Sequence, residues 1–260
     1  MKKFSNILLI TALIMVVVAN LLFWGAKIIR YINREDYNKD IGNVNYSVSG
    51  KPNALKIDAQ AVDVVIKTGD TFGCLMENVD KSQSGTYVDN TTLCVEAKNK
   101  ENISILGWDI GNCLDPQVRA KVTVTVPSGS LESFELDLGA GNVDIDSIIA
   151  SRTVMQVGIG NINAGKIASS GTAAVQTGWG STNINSFEAN DCSIVSGIGN
   201  VDLKLSGNRE DYEIKAKSTL GEVNILGRWQ KWLLSDLLYQ GGTNRHVDIE
   251  TGVGCIKVKD

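Results

Sequence analysis

Histidine and proline are scarce in this 260-residue chain, and its cysteines are not spaced like metal ligands. It holds 1 histidine, 3 prolines and 5 cysteines, without a Cys-x-x-Cys motif. Zinc centres use closely spaced cysteine and histidine ligands, so we predict no metal site. Because five is odd, at least one thiol stays unpaired if the others pair. Loop-like sequence around Cys74 and Cys113 allows a bridge between them, although spacing does not fix connectivity.

Basic clusters are also missing beyond the N-terminus, which excludes nucleic acid as a partner. The formal net charge is −4, and charged residues make up 21% of the chain. Residues 37–260 carry −7, because the first 36 residues hold five Lys/Arg and two Asp/Glu. The main part of the chain is therefore acidic and gains nothing from approaching anionic lipid.

Charge is absent from the 20 residues Ile7–Ala26, which are almost wholly apolar and end near Trp24. A helix of this length matches the hydrocarbon core of a bilayer. The run is too long for the apolar region of a signal peptide, and no clear small-x-small cleavage site follows it. We therefore predict a cytoplasmic stub and transmembrane helix over residues 1–30, followed by a polar juxtamembrane linker over 31–50.

Glycine, in contrast, is abundant: the chain holds 26 glycines, many of them in a recurring Gly-x-Gly turn. The second glycines of the first four turns are 19, 20 and 19 residues apart, and two more units follow after 22 and 33 residues. In the unit that ends at Gly221, Thr219 replaces the first glycine. Such a period indicates stacked structural repeats. The glycines assigned to the turns are Gly139, Gly141, Gly158, Gly160, Gly178, Gly180, Gly197, Gly199, Gly221, Gly252 and Gly254.

Apolar and polar residues alternate on both sides of each turn, which indicates strands with one buried face. A dinucleotide-binding loop would need a third glycine and a following helix, so we predict no cofactor. The expected fold is all-β, a single-stranded β-solenoid with rungs of about 19–20 residues. We place this domain at 51–260, with regular rungs over 134–226 and 247–260. Residues 54–127 are less regular and are expected to include a small sheet that caps one end.

Polar residues at equivalent positions of the rungs predict ladders of stacked side chains. Calcium between the rungs is the alternative, but calcium-binding repeats need a nine-residue period and a glycine doublet that this chain lacks. We favour structural ladders. One column comprises Asn142, Asn161 and Asn200, and a second comprises Asp144, Asn163, Asn185, Asp202 and Asn224.

The middle residue of each turn is large and apolar in five of six units. We favour the interpretation that this column points inward and fills the end of the core. The alternative is an exposed ridge that docks a partner, with Trp179 as a candidate contact. The column comprises Ala140, Ile159, Trp179, Ile198, Leu220 and Val253.

An insertion at 227–242, "GRWQKWLLSDLLYQGG", interrupts the last two units. Its tryptophans and leucines share one helical face, so we predict a helix that covers the end of the core. The alternative is a tip that inserts into a membrane or binds a partner through Trp229 and Trp232.

The repeated G-x-G-[ND]-[VI]-[DN] units, with the entry "VTVPSGSLESFELDLGAGNVDI" at residues 124–145, resemble the bacterial putative-adhesin family, also called Toastrack. The resemblance covers residues 54–260. It implies a β-solenoid, often behind one membrane span, in Gram-positive cell-envelope proteins that are associated with envelope-stress sensing. It carries over no catalytic residues. The chain departs from the pattern at Cys255, where other units have asparagine, and at the insertion.

The lysines and arginines flanking Ile7–Ala26 are nearly balanced, so the expectation of an extracellular C-terminal domain rests on the resemblance. We predict a single-pass protein of the cell membrane that binds an envelope protein or a cell-wall component and has no catalytic residue. A glycan-cleaving solenoid is one alternative, with Asp144 and Asp202 as its acids. Their separation of three rungs, roughly 14 Å, argues against paired action. A passive structural spacer is the other alternative.

Overall fold

The structure, a computed structural model, describes residues 41–48, 50–98, 103–105, 108–110, 119–230, 233–242 and 244–260. Apart from one 3-10 turn at Arg209–Asp211, the regular elements of these residues are strands. Residues Gly42–Asp260 form one compact unit. The strands are β1 (Ile41–Ser47), β2 (Ala54–Gln60), β3 (Val62–Gly69), β4 (Gly73–Asp80), β5 (Gly85–Asp89), β6 (Thr92–Lys98), β7 (Ile103–Ile105), β8 (Trp108–Ile110), β9 (Ala120–Pro127), β10 (Leu131–Ala140), β11 (Val143–Ile159), β12 (Ile162–Trp179), β13 (Thr182–Ile198), β14 (Val201–Leu205), β15 (Tyr212–Leu220), β16 (Val223–Ile225), β17 (Arg228–Gln230), β18 (Leu233–Gln240), β19 (Arg245–Val253) and β20 (Ile256–Lys259).

The predicted all-β, solenoid-like fold is confirmed, because consecutive repeats pair as parallel strands in register. Inward side chains alternate with outward ones along each strand, so equivalent apolar residues stack in buried columns. Each member of the column before the turn is at most 2% exposed. In stacking order this column is Leu136, Met155, Val175, Ile194, Ile249 and Ala216.

Each rung of the regular repeat has a strand segment before its glycine turn and another after it. We call the surfaces formed by these segments the pre-turn face and the post-turn face. The long strands β11, β12 and β13 contribute to both faces, because each continues from one turn to the next. The rungs stack in the order β6/β9, β2/β3, β10/β11, β11/β12, β12/β13, β13/β14, β19/β20 and β15/β16.

The single 20-residue spacing within the regular repeat has a local cause. Ser169 pairs with Ala150 and Ala189, and Thr172 pairs with Arg152 and Asp191. Two residues of β12 therefore lie opposite one residue on each neighbouring strand, which is a β-bulge. The bulge absorbs the extra residue, so the turns on either side keep their register.

The N-terminal end of the stack is not built in chain order. The first rung of the chain, β2/β3, lies between β10/β11 and the later rung β6/β9. The antiparallel strands β4 and β5 then pair with β9 and β6. Residues 54–127 thus supply two full rungs as well as a cap.

The rungs at the C-terminal end are also not stacked in chain order, which differs from the order that we expected. We expected the Gly254 unit to follow the Gly221 unit at the end of the stack. Instead, β19 pairs with β13 on one side and β15 on the other, while β20 lies between β14 and β16. The last rung of the chain therefore occupies an interior position, and neither edge of β19 is open.

The predicted helix over 227–242 is wrong, because its described residues form strands. Leu226 and Gly227 have φ of 51° and 86°, which reverses the chain, and β17 and β18 pair antiparallel with β16 and β15. Along β18, Ser235 is buried while Leu233, Leu234 and Leu238 are exposed. These strands cover the last parallel rung and shield its edge, which is the capping role expected of the helix.

Arg245 on β19 joins three neighbouring rungs. It donates hydrogen bonds to Tyr212 Oη at 2.9 Å and to Glu188 Oε1 at 2.6 Å. Glu188 lies on β13 and Tyr212 on β15, so this one side chain spans the two strands that enclose β19. Tyr212 also donates to the carbonyl of Ser206 at 2.7 Å. Burial raises the pKa of Tyr212, and Arg245 opposes that rise.

The predicted membrane span Ile7–Ala26 lies outside the described residues. Within the part of the chain that the structure describes, no helix is long and apolar enough to cross a membrane. The predicted linker over 31–50 needs correction, because Ile41–Ser47 forms β1, which pairs with β4. Cys74 is a buried free thiol on β4, so the bridge to Cys113 is not supported; Cys113 itself lies outside the described residues.

Candidate functional site

The glycine turns form one continuous corner along the stack. The second glycine of each turn has positive φ, from 137° at Gly180 to 157° at Gly221. A Cβ added to Gly160 would overlap the carbonyl oxygen of Gly141 in the next rung. The first glycines from Gly158 onward are tight for another reason: a Cβ on Gly178 would lie 2.5 Å from the carbonyl oxygen of Gly158. The backbones of successive rungs therefore approach each other too closely here for larger residues.

A polar ladder runs along one side of this corner. The Asn142 backbone N–H donates to Asp63 Oδ1 at 2.8 Å. The backbone N–H and the side-chain amide of Asn161 each donate to Asn142 Oδ1 at 3.2 Å. The ladder continues through Ser181, whose N–H donates to Asn161 Oδ1, and ends with Cys255, whose N–H donates to Asn200 Oδ1. These side chains satisfy backbone donors at the turns, so the column is structural.

The middle residues of the turns point outward, which corrects the inward placement that we favoured. Ile159 is 42% exposed, Trp179 is 58% exposed and Ile198 is 46% exposed. We call this column the corner ridge, and its residues in stacking order are Ala140, Ile159, Trp179, Ile198, Val253 and Leu220. With about 4.8 Å between rungs, it extends roughly 24 Å. A continuous exposed apolar column of this kind is typical of a binding surface.

The exposed apolar surface continues beyond the corner ridge onto the cap. Leu233 pairs with Leu220 and is 66% exposed, and the adjacent Leu234 is 68% exposed. Leu234 also has φ of 55°, an uncommon conformation for leucine that costs of order 1–3 kcal/mol. Trp229, on β17, is 54% exposed; the second candidate tryptophan of this insertion, Trp232, lies outside the described residues.

The second polar column contains Asn183 where we expected Asn185, because Asn183 is the residue in register with Asn163. The Asn163 amide donates to Asp144 Oδ1 at 3.1 Å, and the Asn183 amide donates to Asn163 Oδ1 at 3.2 Å. Asp202 forms an ion pair with Lys259 at 2.6 Å. The two acids thus lie three rungs apart with separate partners, an arrangement unsuited to paired acid catalysis.

Metal ligation also finds no support on the described surface. Among the described residues, no group of three or more His, Cys, Asp or Glu side chains is arranged to hold an ion. Cys192 is buried, and that burial raises the pKa of its thiol, with the carboxylates of Asp191 and Asp248 acting in the same direction. The thiol therefore stays protonated and unreactive at neutral pH.

Behind the corner ridge lies a row of buried hydroxyl groups that sequence reasoning missed. Ser218 Oγ donates to the carbonyl of Gly254 at 2.8 Å, and Thr251 Oγ1 donates to that of Gly199 at 3.2 Å. The buried Ser196 Oγ has no hydrogen-bond partner among the described residues. The available signal was the alternation itself, which places hydroxyl residues at inward positions next to the turns.

This row predicts opposite effects for two matched substitutions. Ser218→Ala should lower the free energy of unfolding by about 1 kcal/mol, because a buried hydrogen bond is lost. Ser196→Ala should leave it unchanged or raise it by up to about 1 kcal/mol, because an unpaired buried hydroxyl is removed. Urea denaturation measures both values. A larger loss for Ser196→Ala than for Ser218→Ala would contradict the assigned hydrogen bonds.

Solved structures of bacterial proteins align with most of this chain. A "putative cell adhesion protein" from Clostridium sporogenes ATCC 15579 aligns with a TM-score of 0.50 and 17% identity, covering 84% of this chain and 99% of that one. A "putative adhesin" from Bacteroides fragilis NCTC 9343 aligns with a TM-score of 0.42 and 19% identity, covering 85% and 97%. At 17% identity, the likeness to the Clostridium sporogenes protein concerns the fold alone.

No curated protein matches the chain. Residues 52–197, more than half of the chain, match the family described as Toastrack DUF4097. The match includes the entry strand and the first three glycine turns, which carry the stacking described above. The chain therefore belongs to the Toastrack DUF4097 family.

Proposed function

We propose that this protein is a non-enzymatic binding scaffold of the bacterial cell envelope, and that the corner ridge is its recognition element. The observation that carries the proposal is the outward orientation of five large apolar residues along one corner, each 42–58% exposed. The turns make their orientation rigid, because Ile159, Trp179, Ile198 and Val253 each lie between two glycines that are packed against the backbone of a neighbouring rung. A rigid surface binds with a small loss of conformational entropy.

The surroundings of the corner ridge favour binding over catalysis. One side is the Asn and Ser ladder, whose side chains bond to backbone donors of neighbouring rungs. The other side is the row of first glycines, which presents bare backbone. Neither side offers a nucleophile next to a base, the arrangement that covalent catalysis needs.

Anchoring by Ile7–Ala26 completes the proposal. Such a span would hold the domain at the membrane surface and concentrate it there, which suits a recognition element of modest area. Expression of the full chain and of a form lacking residues 1–30 tests this point: the full chain should sediment with membranes and the shortened form should not. Equal sedimentation of the two forms would remove the anchor from the proposal.

Photo-crosslinking in living cells tests the recognition element. A benzoylphenylalanine residue at position 179 should give a discrete crosslinked product that mass spectrometry identifies as an envelope protein or a cell-wall fragment. The matched control is position 166, where Lys166 is exposed on another side of the same strand. Products from both positions, or from neither, would contradict a specific role for the ridge. The latter result would favour a passive spacer.

A further inference from the structure

Beside the corner ridge, the pre-turn face carries a patch without charge. Over β11, β12 and β13, the outward residues nearest the ridge are neutral, although 21% of the chain is charged. Depletion of charge around exposed aromatic and aliphatic residues is typical of the centre of a protein interface. Val195, within the patch, is 40% exposed. We call these residues the neutral patch: Val154, Gln156, Gly158, Ala174, Gln176, Gly178, Ser193, Val195 and Gly197.

Charged strands lie on both sides of the neutral patch. On one side, β10 presents Glu135 and Asp137, which are in register with Val154 and Gln156. On the other side, two rungs beyond the patch, β15 presents Lys215 and Lys217 in the same two columns. The intervening strand β19 carries the acids Asp248 and Glu250.

We propose that the partner of this surface is a second copy of the chain, bound face to face through the neutral patch about a two-fold axis. The axis runs along the strand direction between β12 and β13. This inference rests on the proposed function and names the partner of the same site. Each strand of one copy then faces the strand equally far from the axis in the other, so β12 meets β13 and β10 meets β15. The arrangement is isologous, as expected of a closed dimer.

Charge selects this position of the axis. Between β12 and β13, Glu135 faces Lys215 of the second copy and Asp137 faces its Lys217, and the two-fold repeats both contacts. An axis centred on β12 would instead bring Glu135 and Asp137 against Asp248 and Glu250, which repel them. Like charges facing across an interface cost several kcal/mol, so the first position is favoured.

The corner ridges meet along one side of this interface. Columns are preserved by rotation about the strand direction, so Trp179 lies opposite Ile198 of the second copy and Ile159 lies opposite its Val253. Both sheets keep their strands nearly aligned, which is a common way for two sheets to pack. The dimer therefore covers the most exposed aromatic residue of the ridge as well as the neutral patch.

The size of the surface implies a weak dimer. From β10 to β15 there are five rung intervals, and the outward positions extend over about seven residues. At about 4.8 Å per rung and 3.3 Å per residue, the contact measures roughly 24 Å by 23 Å, or about 550 Å² for each copy. The total of about 1,100 Å² is at the lower end for specific complexes. Association should therefore be clearest where copies are concentrated.

A charge-reversal experiment tests the dimer with purified full-length chains in detergent micelles, with two different tags. Lys215→Glu/Lys217→Glu should weaken self-association at least tenfold, and Glu135→Lys/Asp137→Lys should do the same. A mixture of these two variants should associate within about threefold of the unmodified chain, because each mutant strand meets its complement. Sedimentation equilibrium and co-purification measure all three. The control is Lys166→Glu, which should change nothing.

The outcomes separate this inference from the proposed function. If both variants self-associate like the unmodified chain, or if their mixture stays dissociated, the dimer is overturned. A crosslink from position 179 to a protein of another mass would then keep the ridge as a recognition element with a different partner. A crosslinked product of two copies that disappears in either charge variant and returns in their mixture would support both.

Discussion

Replacing Gly160 with alanine should destabilise the protein by on the order of 4 kcal/mol or more, enough to abolish folding in a chain of ordinary stability. Two effects add. The φ of 148° at Gly160 disfavours any residue with a Cβ, and that atom would overlap the carbonyl oxygen of Gly141. The overlap is with backbone held by strands on both sides, so neither rung can move away. Thermal and urea denaturation, monitored by circular dichroism, measure the loss.

Gly139→Ala is the matched control. Gly139 precedes the turn glycine Gly141, but the nearest atoms to an added Cβ lie 3.9 Å away, which is ordinary contact. We expect its free energy of unfolding to stay within about 1 kcal/mol of the unmodified protein, because the position has room and no positive φ. Similar losses for the two variants would show that glycine is required here for a reason other than rung stacking.

The glycine turns, the strand pattern and the Asn142 ladder could be predicted from the sequence because of the stacking geometry. When parallel strands stack in register, residues one repeat apart in the chain become neighbours in space. A period in the sequence then gives the contacts directly, as for Asn142 and Asn161. The same geometry explains why Asn183, not Asn185, continues the second column: Asn183 is three residues after Gly180, as Asn163 is after Gly160, and the two pair in register. The register shifts after Ser169 and after Ile184 lie beyond these positions.

The orientation of the ridge and the position of the last rung could not be predicted in the same way. Hydrophobicity alone favours burial of Trp179, but the flanking glycines turn the backbone so that this residue points outward. The units around Gly221 and Gly254 share one pattern, so either order would fill the apolar columns. The two orders of the rungs differ in contacts between residues far apart in the sequence. Arg245 reaches both Glu188 and Tyr212 only if its rung is interior.

The capping strands were missed because their pattern fits two structures. Leucines at 233, 234, 237 and 238 mark one face of a helix, but they also fit an edge strand that leaves several of them exposed. Pairing with β15 decides between the two, since it satisfies the backbone of a strand that would otherwise form the open edge of the stack. Periodicity within a short segment carries no information about that neighbour.

Deletion of residues 244–260 should abolish cooperative folding, because it removes an interior rung. Val247, Ile249, Ile256 and Val258 are each at most 2% exposed. Burial of side chains of this size contributes about 1.5–3 kcal/mol each, so their loss approaches the whole stability of a typical domain. The deletion also exposes the facing edges of β13 and β15 and removes Arg245. Circular dichroism of the truncated chain should show no sharp unfolding transition.

Hydrogen exchange on the intact protein gives an independent measure of the same topology. If β19 is interior, the amides of Val247 and Ile249 should exchange at the rate set by global unfolding, more slowly than those of the edge strand β18. In a stack built in chain order, the final rung would lie at the end, and its loss would cost one interface while the remaining rungs stayed folded. Fast exchange in β19, or a sharp transition after truncation, would show that β15 pairs directly with β13.

The interior position of the last rung also matters for the dimer, because it alone places Lys215 and Lys217 three rungs beyond β12 and opposite Glu135 and Asp137 of a second copy.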